Sequence, residues 1–494
     1  MRRHLSRVVL VTATILAGVS SAWSGDVDAP KTSRPNVLFI AIDDLRPQLG
    51  CYGHEYMYTP RLDRLASQGR LFHRHYVQVP TCGASRCALL TGRYPRTPAD
   101  ISNMAVRSRM AGREESPDPE SFAHLFRRSG YHTVCLGKIS HYVDGRIYNY
   151  DKSGDGSLEM PHSWDDVGLP YGKWKDGWSS FFGYADGSGR TRGVSPPIES
   201  ADVDDEGYPD GLIANAAIEK LRSLRDQQFL LCVGFFKPHL PFCAPQKYFD
   251  LYDPLALPLS PNPDPPVDVD PRSLHRSSEL FGNYGREVDD PFTDIEYHRR
   301  LRHAYFACVS YVDTQVGKVL DELDRLGLME NTIVVVWGDH GWHLGDQSIW
   351  GKHTTFERAL RSTLIVRTPH MSSPGTSTSA IVETVDLYPT LTDLCGIDPP
   401  AGLDGQSLVP VLNDPDRSVG SIAFGFWENG SRTLRTDRYR LVHLPADGTA
   451  PEAFELYDHD VDPLETRNIA AAHPDVVAEL ATRLAPLDKG QIEE

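Results

Sequence analysis

Five short stretches of this 494-residue chain gather side chains that could do polar chemistry. They are Asp43-Asp44, Cys82-Gly83-Ala84-Ser85-Arg86, Gly137-Lys138 with His141, Lys237-Pro238-His239, and Gly338-Asp339-His340-Gly341. The oxygen-rich subset Asp43, Asp44 and Asp339 suits a hard divalent cation, calcium or magnesium. Zinc would want more His or Cys, and no His-Glu-x-x-His pattern occurs. Lys138, His141 and His239 suit an oxyanion. A site joining a hard cation to several fixed positive groups is built for a multiply charged anionic group such as sulfate or phosphate. The nucleophile candidate is Cys82. The residues after it, Cys87 to Gly92, read as a short helix, which places Cys82 just before a helix N-terminus, where free N–H groups and the dipole favour anions. Taken singly, such a cysteine is more often structural, and an acidic pair is more often a surface charge or a cap.

The coincidence lies in what precedes these residues. Asn36–Ile42, Thr133–Leu136, Phe229–Phe235 and Ile333–Trp337 are uninterrupted apolar runs, as strands buried on both faces are, and Leu364–Val366 is a fifth. Four of them run straight into the charged groups. A helix is punctuated by Thr59 as N-cap, Pro60 at its first position and Gly69 at its stop. Phe306, Val309, Val312, Val316, Val319, Leu323 and Leu326 recur at steps of three or four, with Gly327 ending a long helix. Alternating helices and apolar strands predict an α/β fold, a large mainly parallel sheet sandwiched by helices. In such a sheet the carboxyl ends of strands share one edge, where ligands bind.

Around this frame, 142–209 (rich in Gly, Asp, Trp and Tyr) and 254–291 (rich in Pro and Asp) have no sustained period and read as long surface loops around a site. From about residue 405 short alternating segments, Tyr439–His443 and Phe454–Tyr457 among them, predict a smaller C-terminal α+β domain. The domain plan is thus a signal at 1–25, a catalytic domain at 34–404 and a subdomain at 405–494. The signal rests on Arg2, Arg3 and Arg7 before the apolar run Val8–Val19 and the small residues Ser20, Ser21, Ala22 and Ser24. That run is shorter than the ~20 residues a membrane span needs, so a secreted or periplasmic protein with no span after cleavage is expected.

Sixty-seven acidic against 50 basic residues give a net charge of −17, which disfavours a nucleic-acid binder and leaves the attraction of any anionic substrate to local cations. A hydrophobic content of 40% excludes wholesale disorder. The eight cysteines make no disulfide-dense scaffold; Cys135 and Cys232 read as small core residues, and a Cys232–Cys243 bridge is conceivable. The sequence carries no signal for an oligomeric state.

Cys82-Gly83-Ala84-Ser85-Arg86 with Leu90-Thr91-Gly92-Arg93 resembles the signature of the type I sulfatases of the alkaline phosphatase superfamily. Asp43-Asp44-Leu45-Arg46-Pro47, Lys237-Pro238-His239-Leu240-Pro241-Phe242, Asp339-His340-Gly341-Trp342 and Val309–Gly317 resemble the iduronate 2-sulfatase branch. The resemblance implies that Cys82 is oxidised to formylglycine by a maturation enzyme. One hydroxyl of the hydrated aldehyde then attacks sulfur, and the other lets the sulfated intermediate collapse. It implies calcium held by Asp43, Asp44, Asp339, His340 and modified Cys82. It further implies that Arg86 steadies the diol, that Lys138 and Lys352 hold sulfate oxygens, that His141 assists breakdown and that His239 faces the leaving oxygen. Lys352, in Trp350-Gly351-Lys352-His353, rests on the resemblance, since a lone loop lysine is usually solvated. Ala84 stands where Pro is usual, a form associated with radical-type maturation in bacteria. The substrate implied is a sulfated mono-, oligo- or polysaccharide. The alternatives are a phosphonate monoester or phosphodiester hydrolase, or a non-catalytic calcium-bound glycan-binding protein. A serine hydrolase lacks its Gly-x-Ser-x-Gly elbow here.

Overall fold

The computed structural model describes residues 34–118 and 120–489; the export signal expected at 1–25 lies outside the described residues. A nine-stranded sheet runs through the centre. In chain order its strands are β1 (Asn36–Ile42), β2 (Arg70–Tyr76), β3 (His132–Gly137), β4 (Asp166–Gly168), β5 (Phe229–Phe235), β6 (Thr332–Gly338), β7 (Arg361–Ser362), β8 (Leu364–Arg367) and β9 (Ser377–Glu383). Their spatial order is β7-β2-β8-β6-β1-β5-β3-β4, with β9 beside β2. Strand β1 pairs in parallel with β5 and β6, and β3 in parallel with β4 and β5. Strand β8 runs against both its neighbours, β6 and β2. One reversal inside the sheet therefore brings β2 back into the direction of β1 and β6. The carboxyl ends of β1, β2, β3, β5 and β6 all lie on one edge.

Alternation along β1 divides the core between the two faces of the sheet. Leu38, Ile40 and Ile42 pack into one cluster with the helices Pro60–Gln68, Pro209–Leu224 and Ile295–Arg325; Val37, Phe39 and Ala41 pack into another with Cys82–Thr91, Phe122–Arg128 and Leu387–Leu394. The helix Pro60–Gln68 has the expected Thr59 and Gly69 at its ends, but the Thr59 side chain makes no bond to the helix backbone. The long helix ends as predicted, two residues before Gly327, and starts earlier, at Ile295. Cys135 and Cys232 are buried in β3 and β5, and Cys232 and Cys243 are separate thiols.

The loop expected at 142–209 needs correcting. It supplies β4 to the sheet edge and the helix Gly177–Phe181, and Tyr142, Val143, Trp178, Phe181, Phe182 and Tyr184 are core residues. Aromatic rings at irregular spacing bury a large area without any period, so periodicity cannot register them. Residues 254–291 keep their loop character apart from one-turn elements at Pro271–Ser273 and Ser278–Phe281. Towards the C-terminus, four antiparallel strands, Ala423–Phe426, Arg432–Arg435, Tyr439–Leu444 and Ala453–Asp458, form a second sheet in sequential order. Leu480 and Leu484 of the helix Pro474–Lys489 pack against Leu434, Leu441 and Leu456 of this sheet.

Candidate active site

Strand β1 leaves the sheet edge through Asp43 and Asp44. Neighbouring residues on a strand point to opposite faces, yet Asp44 has a φ of 59°, which breaks the alternation and turns both carboxylates toward the same centre. A non-glycine residue in the left-handed region costs on the order of 1 kcal/mol. The Asp44 backbone is fixed in return: its N–H donates to Asp339 Oδ1 at 2.9 Å, and its carbonyl accepts from the Tyr305 hydroxyl at 2.7 Å. Lys138 follows Gly137, whose φ of 75° turns the chain out of β3; a Cβ there would meet the Gly234 carbonyl oxygen at 2.2 Å. Strand β2 reaches the same edge and leads through Val77–Thr81 to Cys82.

Cys82 is the first residue of the helix Cys82–Thr91, with extended Thr81 as N-cap; the helix starts five residues before the expected Cys87 and so includes Cys82 rather than following it. One of the first-turn N–H groups that the sequence offered to an anion is already used: the Gly83 N–H donates to the Asn103 side-chain oxygen at 2.9 Å. The thiol instead sits among charged side chains. It donates to Asp43 Oδ1 at 3.4 Å, lies 3.4 Å from His340 Nε2 and accepts from Lys352 Nζ at 3.5 Å. Lys138 bridges to Asp43 at 2.5 Å, Lys352 to Asp44 at 2.9 Å and Arg86 to Asp339 at 3.0 Å. His239 Nε2 lies 3.9 Å from Asp44 and His340 Nε2 3.4 Å from it. His141 packs against Trp178 with the rings tilted at 53° and their centroids 5.4 Å apart, and its Nδ1 has no hydrogen-bond partner. All ten residues singled out from the sequence, Lys352 included, thus come together at one rim. His353 also borders the cleft, whereas His343 is hydrogen-bonded to Thr354 and Arg361 to the His73 carbonyl.

Burial sets the electrostatics. It would raise the Asp43 carboxyl, but Lys138, His239 and Arg86 outweigh it and hold that group well below the usual carboxylate range. At Asp44 burial prevails over Lys352 and His340, and the carboxyl is lifted well above that range. Burial, reinforced by Asp43, pushes the Cys82 thiol up to about 12, so it is a neutral thiol and a poor nucleophile as it stands. Burial and Lys138 hold His141 well below its ordinary value, and burial and Lys352 bring His239 down to about 4.

The donor set fits a hard cation. Single ligand atoms of Asp43, Cys82, Asp339 and His340 lie within 4.8 Å of one another, and buried Asp44 Oδ2 beside them has no hydrogen-bond partner. Glu279, from the one-turn helix Ser278–Phe281, completes the ring: it lies 3.2 Å from His239 Nε2 and 3.1 Å from Lys352 Nζ. Four carboxyl groups then face Arg86, Lys138 and Lys352, Asp44 being the one that burial favours in its protonated form. A divalent cation would favour the ionised form and give the site the positive sign an anionic ester needs. Above Cys82 opens a cleft of about 220 Å³, whose wall includes Tyr150, Phe182, Arg190, Arg192 and Asn283. Sequence reasoning did not name Glu279 or these wall residues. They stand in the two aperiodic stretches, and only the placing of those stretches around a site pointed to them.

A mainly parallel sheet with a charged rim at its carboxyl edge and a smaller antiparallel sheet beyond it is the architecture of the alkaline phosphatase superfamily. The Sulfatase family model matches residues 35–397, and that of the N-sulphoglucosamine sulphohydrolase C-terminal region matches 338–490. The chain belongs to the sulfatase family and is a sulfuric ester hydrolase. A sulfatase of Formosa agariphila is 30% identical over 465 residues, 89% of this chain and 84% of that protein. The iduronate 2-sulfatase of Mus musculus is 31% identical over 437 residues, 81% and 74% of the two chains. Among solved structures, the phosphonate monoester hydrolase of Silicibacter pomeroyi has a TM-score of 0.70 at 26% identity, covering 92% of this chain and 95% of its own. Among the described residues, no helix is long and apolar enough to cross a membrane.

Proposed function

We propose that this exported enzyme removes sulfate from a sulfated carbohydrate, in the manner of an iduronate 2-sulfatase, after Cys82 has become formylglycine. The observation that carries this reading is the setting of Cys82, a thiol too basic to attack, held within 3.5 Å of Asp43, His340 and Lys352 at the head of a helix. Maturation is a two-electron oxidation of the Cys82 side chain with sulfur replaced by oxygen, the oxidant being supplied by a formylglycine-generating enzyme. The hydrated aldehyde supplies two hydroxyls on one carbon, one to attack sulfur and one to expel the sulfate afterwards. Asp43, Asp44, Asp339, His340 and the matured residue 82 would hold calcium, which would supply positive charge to the site of an anionic ester.

The chain's own groups do the rest. Lys138 and Lys352 bind the non-bridging oxygens, on which charge accumulates as the ester breaks. Arg86 steadies the attacking hydroxyl. His239, whose Nδ1 already faces the Leu240 carbonyl at 2.7 Å, directs Nε2 toward the leaving sugar oxygen. His141, with an unpartnered Nδ1, takes the proton released when the second hydroxyl collapses. Residues 34–404 form the catalytic part and 405–494 the smaller subdomain in this scheme.

Mass spectrometry of the tryptic peptide His75–Arg86 from protein made in its native host tests the reading. An aldehyde in place of the Cys82 thiol supports it; an intact thiol overturns it. Foreign expression is unsuited to this test, because Ala84 narrows the set of maturation enzymes. The likeness to a phosphonate monoester hydrolase supports a second reading, turnover of phosphorus esters by the same centre. Comparing aryl sulfate with aryl phosphonate turnover separates the two.

A further inference from the structure

The cations on the floor of the cleft are already engaged: Lys138 with Asp43, Lys352 with Asp44 and Glu279, Arg86 with Asp339. Arg190 in the wall is different. Among the described residues no carboxylate lies within ion-pair distance of it, although the chain carries a net charge of −17. Its guanidinium carbon lies over the Phe182 ring, 3.7 Å from the centroid, and 5.5 Å from the centroid of Tyr284. A cation–π contact uses the face of a guanidinium and asks nothing of its N–H fork, which can then serve an acceptor.

The strap carrying Arg190 is pinned. Tyr184 and Ser188 close its start with a 2.9 Å backbone bond. Its end is stitched to the other insertion by three bonds: Gly193 N–H to Asn283 O at 3.0 Å, Arg192 Nε to Asn283 Oδ1 at 2.7 Å, and Gly285 N–H to Ser195 O at 2.9 Å. Phe182 and Tyr284, which flank the guanidinium, come from one insertion each. An arginine held this way loses little rotamer freedom when it binds, which is how a recognition residue is preorganised.

We propose that Arg190 binds a second oxyanion of the substrate, a carboxylate or a further sulfate on the sugar whose ester is cleaved, and so selects doubly charged sugars. This rests on the sulfatase reading above. The cleft, at about 220 Å³, is smaller than the ~300–1,000 Å³ of typical ligand sites and suits one sugar residue. The second anion therefore belongs to the same ring as the scissile ester. A fork of two parallel N–H groups matches a carboxylate or a sulfate edge, whereas an ammonium offers only a point charge.

The test uses matured full-length enzyme and three kinds of substrate: an aryl sulfate with no second anion, a uronic acid 2-sulfate beside its carboxyl-reduced form, and glucosamine 6-sulfate beside its N,6-disulfate. For the wild type, kcat/KM is expected to be about tenfold or more higher for whichever pair member carries the second anion. In Arg190→Ala that preference should collapse, chiefly through KM. Arg190→Lys should restore only part of it, which separates the planar fork from mere charge and shows that the loop still folds. The uronate and disulfate arms tell which anion is read. Equal turnover of charged and uncharged pair members by the wild type, or an Arg190→Ala loss as large on aryl sulfate as on the charged sugars, overturns the proposal. Absence of turnover of every one of these sulfate esters by matured wild type sinks the reading of the site on which the proposal rests.

Discussion

Cys82 is the residue on which the chemistry turns, and its surroundings explain why a bare thiol does not suffice. Burial and Asp43 keep it protonated, so nucleophilicity has to come from the matured side chain. Cys82→Ala should therefore abolish ester hydrolysis while changing stability by no more than about 1 kcal/mol, since it deletes one atom from a site built for function; turnover above background would refute the assignment. Glu279 joins two of the groups proposed to act, at 3.2 Å from His239 and 3.1 Å from Lys352. Its replacement in Glu279→Gln should lower kcat/KM by about 10- to 100-fold, because Lys352 loses a counter-charge and His239 the carboxylate that orients Nε2. Steady-state kinetics within twofold of wild type would show that the contact is idle. The two residues differ in how legible they were. Cys82, Asp43, Asp44, Asp339, Lys138 and His239 terminate apolar runs or sit inside multi-residue motifs. Glu279 and Arg190 are single charges in stretches without period, and a single loop charge is usually solvated.

At the scale of elements, five of the nine sheet strands, β1, β3, β5, β6 and β8, were readable to within a residue or two because their composition is uniformly apolar, whereas β2, β4, β7 and β9 carry no such run and were not readable. The helix Pro60–Gln68 shows what local punctuation leaves out. Thr59 and Pro60 mark its start correctly, but its N-terminal donors are satisfied from the far side of the fold: Asp313, in the long helix, accepts from Arg61 N–H at 3.2 Å and Leu62 N–H at 2.8 Å. Asp313→Ala leaves these donors without an acceptor and should cost about 1–3 kcal/mol in chemical denaturation. Burial raises the Asp313 carboxyl to about 7, from an ordinary value of 3.8. The folded protein then holds this proton more tightly than the unfolded chain does. The stabilisation is full below about pH 4 and is lost as the pH rises through about 7. Relative to Asp313→Asn, which cannot titrate, the wild type should lose on the order of 2–4 kcal/mol across that window. Parallel stability curves for the two proteins would rule out the buried-acid account.

For the molecule as a whole, the site exists only because distant stretches converge. Residues 43–44, 82, 138, 239, 339–340 and 352 meet at one edge since β1, β2, β3, β5 and β6 point the same way. The reversed strand β8 that makes room for β2 was not readable, because Leu-Ile-Val fits either direction equally well. Nor was the reach of the C-terminal sheet, whose Trp427 stacks at 5.0 Å on His353 beside the cleft. A cation held by Asp43, Asp44, Asp339, His340 and residue 82 would tie three of these stretches together, and only in the folded chain. By mass action it should add about 2.7 kcal/mol of stability at a hundredfold excess over its dissociation constant. Chelation of matured enzyme should accordingly lower the melting temperature and activity together, and calcium should restore both. Asp339→Asn removes one ligand charge and weakens the bond to Arg86 Nε at 3.0 Å, so its melting temperature should respond much less to added calcium. A melting temperature indifferent to chelator and calcium in the active enzyme, or the same calcium response in Asp339→Asn, would mean that the carboxylates at this rim balance Arg86, Lys138 and Lys352 and hold no metal.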